Sequence, residues 1–217
     1  MATFQGVMES FPKIIKIDSL FCGKWLAFKK IYCMLESGKE ISQDFVDRPP
    51  GLHKKSPTIC NGIDIIALIK YKTSLIKKIV IEAIFRPPVK AYVLEFPAGM
   101  CELDGYAEDG KRELKEETGY LPEKLISLTK EGKPLISYSD SYLSAESESL
   151  IVFEVNGDTP ENQVPQQELE EEESIRVFLL DFNDTLLDQL IGIADKNKFL
   201  IRTSLYSFAL GLKKNFC

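Results

Sequence analysis

Apolar positions in this chain gather into short runs separated by polar turns. Between residues 13 and 46 the runs KIIKI, WLAFKKIYCML and ISQDFV predict three strands, and Ser37-Gly38-Lys39 supplies a hairpin turn between the last two. A polar stretch with three prolines, RPPGLHKKSPT over residues 48–58, then breaks the pattern and marks a boundary. Beyond it GIDIIALIKY and KKIVIEAIF, separated by Lys72-Thr73-Ser74, predict an antiparallel pair. FRPP interrupts, and AYVLEFPAG predicts a third strand ending in Pro97-Ala98-Gly99. KLISL, LIVFEV and SIRVFLL are further strands, with a long polar segment over residues 156–173 before the last. NDTLLDQLIGIAD and LIRTSLYSFALGLKK carry helical periodicity, the first capped by Asn183 or Asp184. No internal repeat is visible. The mixture predicts an α+β or α/β fold, a mixed sheet with helices on its faces. It divides into an N-terminal β region and linker, residues 1–55, and a main domain, residues 56–217.

Composition narrows the chemistry. The 217 residues are 44% apolar, enough for a sizeable core, and carry a net charge of −6. Free nucleic acid is a poor partner for such a surface, because its binders present basic faces. An acidic protein that handles phosphates does so more naturally through bound cations. No run approaches the ~18 apolar residues of a membrane span, so no membrane role is expected. The five cysteines are scattered, without a C-x-x-C pair, which argues against a disulfide framework or a zinc site. A reducing cytoplasmic setting, or a nuclear one, is expected. The single histidine, His53, lies in the linker and reads as structural or solvent-exposed. Its isolation removes Ser-His-Asp and multi-histidine chemistry, leaving carboxylates to carry any reaction.

The densest carboxylates stand in RELKEETGY, residues 112–120. On a helix Glu113 and Glu117 share a face, Glu116 sits beside them, Arg112 can pair with Glu116, and Leu114 points to the core. Gly119 is placed as a left-handed C-cap. Such a helix is either a solvated acidic surface or a hard-oxygen site of the kind Mg²⁺ prefers. Its surroundings favour the second.

The segment PAGMCELDGYAEDGKRELKEETGY resembles the Nudix box. Its second half follows the family pattern without a gap through Arg112, Glu113, Leu114, Glu116, Glu117, Gly119 and Tyr120. Its first half departs. Asp104 stands at the place of a Glu, and the Gly position falls on Ala98 while the glycine is Gly99, so the loop is one residue short. Gly110 also falls mid-helix, at a cost of up to about 1 kcal/mol relative to Ala. FRPP, EFPAG, the box and NGD-x-x-EN together resemble the ADP-sugar pyrophosphatase branch, which implies a Nudix fold and hydrolysis of ADP-ribose to AMP and ribose 5-phosphate. The resemblance implies Mg²⁺, or Mn²⁺, held by Glu113, Glu117 and the Ala98 carbonyl, with Glu116 participating in metal binding and catalysis. It places the carboxylate that works on the attacking water at Glu173, with Glu172 as the neighbouring alternative. It assigns Arg86 to the phosphates and Trp25 to the adenine, and adds Asp44, Arg48 and Asp140 as substrate contacts. A second tryptophan found in the human-type branch is replaced here by Gln43. A homodimer that exchanges the N-terminal sheet is implied as well. Two other readings stay open: a Nudix hydrolase of another nucleoside diphosphate, and a Nudix module that binds ADP-ribose without cutting it.

Overall fold

The computed structural model describes residues 12–49, 60–101, 105–126 and 135–213. His53, Asp104 and most of the proline-rich linker lie outside the described residues. The chain forms two compact units. One comprises the chain up to Ser56 together with Tyr138–Glu146, and the other comprises Pro57–Ser137 and Ser147–Cys217.

The first unit is built on an antiparallel meander of β1 (Lys13–Cys22), β2 (Ala27–Met34) and β3 (Glu40–Asp47). β1 turns back tightly, Gly23 donating its N–H to the Leu26 carbonyl at 2.9 Å. Between β2 and β3 the turn runs through Gly38 at φ +79°, a left-handed conformation that favours glycine. Residues 138–146 lie along β3, with Val46 donating to the Leu143 carbonyl and Ala145 donating to the Val46 carbonyl. Among the described residues of this unit only Ala27 and Pro49 are buried. Ile14, Ile17, Leu20, Phe21, Trp25 and Phe28 are all exposed.

The second unit is a mixed sheet between helices. β4 (Gly62–Lys70) runs parallel to β10 (Glu148–Asn156) over its whole length, from Gly62↔Glu148 to Lys70↔Asn156. β5 (Lys78–Arg86) is antiparallel to β6 (Ala91–Glu95) on one edge and to β11 (Ile175–Asp181) on the other. The predicted β4–β5 hairpin pairs only next to its turn, Leu68↔Ile79 and Ile69↔Lys78, and the far end of that edge of β4 pairs β7, while β10 takes the opposite edge. The run AYVLEFPAG is two strands, β6 and then β7 (Ala98–Met100). Pro97 cannot donate to a ladder, but its carbonyl accepts the Ile65 N–H at 2.8 Å as the chain crosses to β4. β8 (Lys124–Ile126) and β9 (Ile136–Ser137) flank β10, and β12 (Leu200–Ile201) edges β6.

The apolar run of β4 is nearly continuous because both of its faces are covered. Ile63, Ile65, Ala67 and Ile69 pack with Leu114 of α1 (Tyr106–Thr118), while Ile66 and Leu68 pack with α3 (Leu186–Asn197) and α4 (Thr203–Gly211). The polar segment over residues 156–173 contains a single turn of helix, α2 (Pro160–Gln163). The cap of α3 is Thr185 rather than Asn183 or Asp184. Asn183 instead uses its Oδ1 to accept from the Thr185 N–H at 2.8 Å and hydroxyl at 2.7 Å, one step before the helix. Arg202, read as helical, caps α4 in extended conformation.

Candidate active site

α1 is capped by Gly105 at its start and by Gly119 at its end, whose φ of +77° closes the helix and returns its N–H to the Lys115 carbonyl at 2.8 Å. A Cβ on Gly119 would stand 2.4 Å from the Gln166 backbone nitrogen, so the polar loop before β11 seats directly on this end of the helix. Gln167 donates its side-chain amide to the Glu117 carbonyl at 2.6 Å, and Glu168 its N–H to the Glu116 carbonyl at 2.8 Å. These bonds satisfy carbonyls that the last turn leaves open. They also tie the loop that leads to Glu173 to the helix that carries the acidic face.

That face looks onto β7. Glu117 is 4% exposed and accepts the Ala98 N–H on Oε2 at 3.0 Å. A Cβ on Gly99 would lie 2.0 Å from the Glu113 carboxyl carbon, so the missing side chain is what admits that carboxylate. Gly99 thus makes the close approach, and Ala98 supplies the N–H. Arg112 spans the two neighbouring acids, donating from Nη2 to Glu113 and from Nη1 to Glu116, both at 2.8 Å. Among the described residues no three His, Cys, Asp or Glu side chains already stand as a metal cage. Arg112 thus bridges Glu113 and Glu116, while a backbone amide of β7 holds Glu117.

Behind the face lie acids that periodicity does not reveal. Glu82, at the centre of β5, is 0% exposed, and neither carboxylate oxygen has a hydrogen-bond partner. Burial, and then the charges of Glu117, Glu95 and Glu173, push it well above the usual carboxylate range. Burial likewise raises Glu117 to about 8, with Glu113 and Glu173 adding to the rise and the Ala98 N–H opposing it. Glu95 of β6 sits directly across from Glu82. It is gripped by Arg86 through Nε at 3.0 Å and Nη2 at 2.8 Å, a paired arrangement that fixes the guanidinium plane. Arg202 stands 3.5 Å from Glu95 and bonds Asp64 at 2.9 Å and Glu148 at 2.7 Å. The only sequence signal for Glu82 and Glu95 is an acid inside an otherwise apolar strand, IVIEAIF and YVLEF.

The residues expected at the site therefore divide. Ala98, Glu113, Glu116 and Glu117 meet around the β7–α1 junction. Arg86 and Glu173 join them electrostatically, both charges being felt at Glu117 and Glu82. Glu173 is half-buried, whereas Glu170, Glu171 and Glu172 are exposed. It accepts the Glu170 N–H at 2.9 Å, which turns its carboxylate back under the loop. Trp25, Asp44, Arg48 and Asp140 belong to the first unit. Trp25 is 51% exposed rather than core, with the Lys24 ammonium 4.6 Å above its ring. Arg48 pairs with Glu146, Asp44 with Lys30 at 3.3 Å, and Asp140 accepts the Leu143 N–H. Gln43, at the position of the lost second tryptophan, donates to the Tyr142 carbonyl.

The donor set suits a hard divalent cation. It is all oxygen, and the Gly99 gap leaves the Glu113 carboxylate close against the backbone. A model of the NUDIX domain matches residues 77–199, which contain both the acidic helix and the loop to Glu173. The chain is a Nudix hydrolase. Members of this family generally use divalent metal ions, in keeping with that donor set. The chain is 33% identical over 188 residues to an ADP-ribose pyrophosphatase of Saccharomyces cerevisiae, covering 84% of this chain and 76% of the relative. It is 30% identical over 193 residues to an ADP-sugar pyrophosphatase of Mus musculus, covering 88% and 83%. Its fold matches a crystal structure of an ADP compounds hydrolase with a TM-score of 0.61 at 16% identity, over 94% of this chain and 92% of that one. The Nudix fold, with its small N-terminal antiparallel sheet, is thus common ground between sequence and structure.

Proposed function

We propose that this Nudix hydrolase splits the pyrophosphate bond of ADP-ribose or a related ADP-sugar, releasing AMP and the sugar phosphate. The observation that carries the reading is the Glu113–Glu117 face closed against Ala98 and Gly99, in a chain whose relatives bear those activities in their names. Glu113, Glu117 and the Ala98 carbonyl would hold Mg²⁺, or Mn²⁺, with Glu116 at the margin where Arg112 now holds it. Once bound, the ion would neutralise diphosphate oxygens and polarise the water. Arg86, fixed by Glu95 yet with its side chain 43% exposed, presents donors to a phosphate. Glu173 takes the proton as water oxygen bonds to phosphorus and the bridging P–O bond breaks toward the leaving phosphate. Trp25 offers an exposed ring for the adenine, and Asp44, Arg48 and Asp140 are further substrate contacts. The exposed apolar sheet supports a homodimer, and scattered cysteines without a C-x-x-C pair suit a cytoplasmic setting.

The test is a panel of nucleoside diphosphate derivatives incubated with the protein and Mg²⁺, with products identified by mass. AMP and ribose 5-phosphate from ADP-ribose are expected, with activity abolished by EDTA. Turnover that persists in excess chelator would overturn the metal reading, and cleavage confined to another nucleotide would reassign the substrate. Glu173→Gln should lower kcat by roughly 10²–10⁴-fold, the contribution of a general base, while ADP-ribose still binds. The same loss at Glu172→Gln instead would move the role by one residue.

A further inference from the structure

Glu82 has no place in the reading above. It belongs neither to the acidic helix nor to the loop before β11. It stands in the middle of β5, is 0% exposed, and leaves both carboxylate oxygens without a partner. Buried polar groups are nearly always hydrogen-bonded, and a carboxyl is among the costliest to leave bare. The local sequence offers no packing reason for it, since its neighbours Val80, Ile81 and Ala83 make an ordinary apolar strand.

Its direction follows from the pleat. Ile79, Ile81 and Ala83 pack toward α3 and α4, while Val80 packs with Leu114 on the α1 side. Glu82 alternates with Ile81 and Ala83 and so projects with Val80 toward α1. There the charged groups that face it are Glu117 from α1, Glu95 and Arg86 from the paired strands, and Glu173 from the loop. Both arginines of this region are committed to other acids. Arg86 gives Nε and Nη2 to Glu95, and Arg202 serves Asp64 and Glu148. Across the ladder Glu82 faces Glu95 on one side and Val177 on the other, so neither neighbouring strand supplies a donor. Three acids and one occupied arginine surround a bare carboxyl, and what such a place lacks is a cation.

We propose that Glu82 is a further carboxylate of the divalent-cation site, reaching it from the sheet beneath Glu117. The helix and loop supply carboxylates from above, and β5 supplies one from below. This rests on the reading of the acidic face as a cation site and goes beyond it by adding a residue that the Nudix box does not contain.

The experiment measures Mn²⁺ binding to the whole protein without substrate, following free Mn²⁺ by electron paramagnetic resonance, for wild type, Glu82→Gln and Glu82→Leu. Melting temperature is read for each with EDTA and with Mn²⁺. Both variants should bind Mn²⁺ roughly 10- to 100-fold more weakly, the usual loss for a group that supports a metal centre. In EDTA they should melt higher than wild type, because the bare carboxyl is gone, and the rise produced by Mn²⁺ should shrink. A merely structural glutamate would move the EDTA value alone. Glu82→Leu matches the apolar strand, so the test survives if the Gln variant folds poorly. Wild-type Mn²⁺ affinity in either folded variant would overturn the inference and leave the cation site standing. Absence of Mn²⁺ binding by the wild-type protein would overturn both.

Discussion

At Glu117 burial outweighs the Ala98 N–H that favours the charged carboxylate. The unfolded chain loses this proton near pH 4.5, whereas the folded protein keeps it to about 8. Over that window the folded state binds more protons, so stability without a cation falls as pH rises and levels off above pH 8. Asp64, raised by burial to about 6 against the pull of Arg202, adds a fall of the same sign that ends earlier. Melting in EDTA at pH 5 should therefore exceed melting at pH 9, and Glu117→Gln should flatten the difference. Equal slopes in the two proteins would place the origin elsewhere. Glu113 and Glu117 were legible in the sequence because a helix turns a four-residue spacing into a shared face. Glu82, Glu95 and Asp64 were not, because strand periodicity says only which side a residue takes and not that an acid will be sealed there.

Gly110 sets helix propensity against packing. Propensity alone gives Gly110→Ala a gain of up to about 1 kcal/mol. The new Cβ would lie 2.4 Å from Ile151 Cδ1, 3.1 Å from Phe153 and 3.3 Å from Ile63, all three buried. Overpacking a filled core costs about 1–3 kcal/mol, so packing wins and the variant should melt lower, as calorimetry would show. The glycine that looks like a flaw in the helix is what lets α1 lie close on β4 and β10. The extents of strands and helices were largely readable from the runs themselves. Pairing was less so, because adjacency predicts the β4–β5 hairpin but says nothing of the distant β10 that takes the other edge of β4. The break between β6 and β7 at Pro97 was likewise hidden inside one apolar run.

The two units differ in how they are held. The second has a core on each face of its sheet. The first has a three-stranded meander that leaves Ile14, Ile17, Leu20, Phe21 and Phe28 in solvent, too small to sustain itself by burial. Large apolar side chains left in solvent at this density on so small a sheet mark an interaction surface. Static light scattering at micromolar concentration should give twice the 24.6 kDa chain mass, and replacing Ile17 and Phe21 with Ser should return the monomer. A wild-type monomer would contradict the dimer. The sequence marked this region by its β runs and the prolines after it. It did not show that residues 138–146 pack with it, because that association is made across the fold rather than along the chain.

The long-range pairing of the central strands also bears on how quickly the protein assembles. β4 meets β10, and β5 meets β11, across roughly 80–90 residues of intervening chain, and each closure must be made before its contacts return anything. Chains dominated by such contacts refold in milliseconds to seconds rather than microseconds. The carboxylates of β5, α1 and the loop before β11 become neighbours only after those closures, late on the route. A divalent ion held among them would find little to grip in the transition state. It should slow unfolding and leave the refolding rate nearly unchanged, so that stopped-flow traces with and without Mn²⁺ separate on the unfolding limb alone.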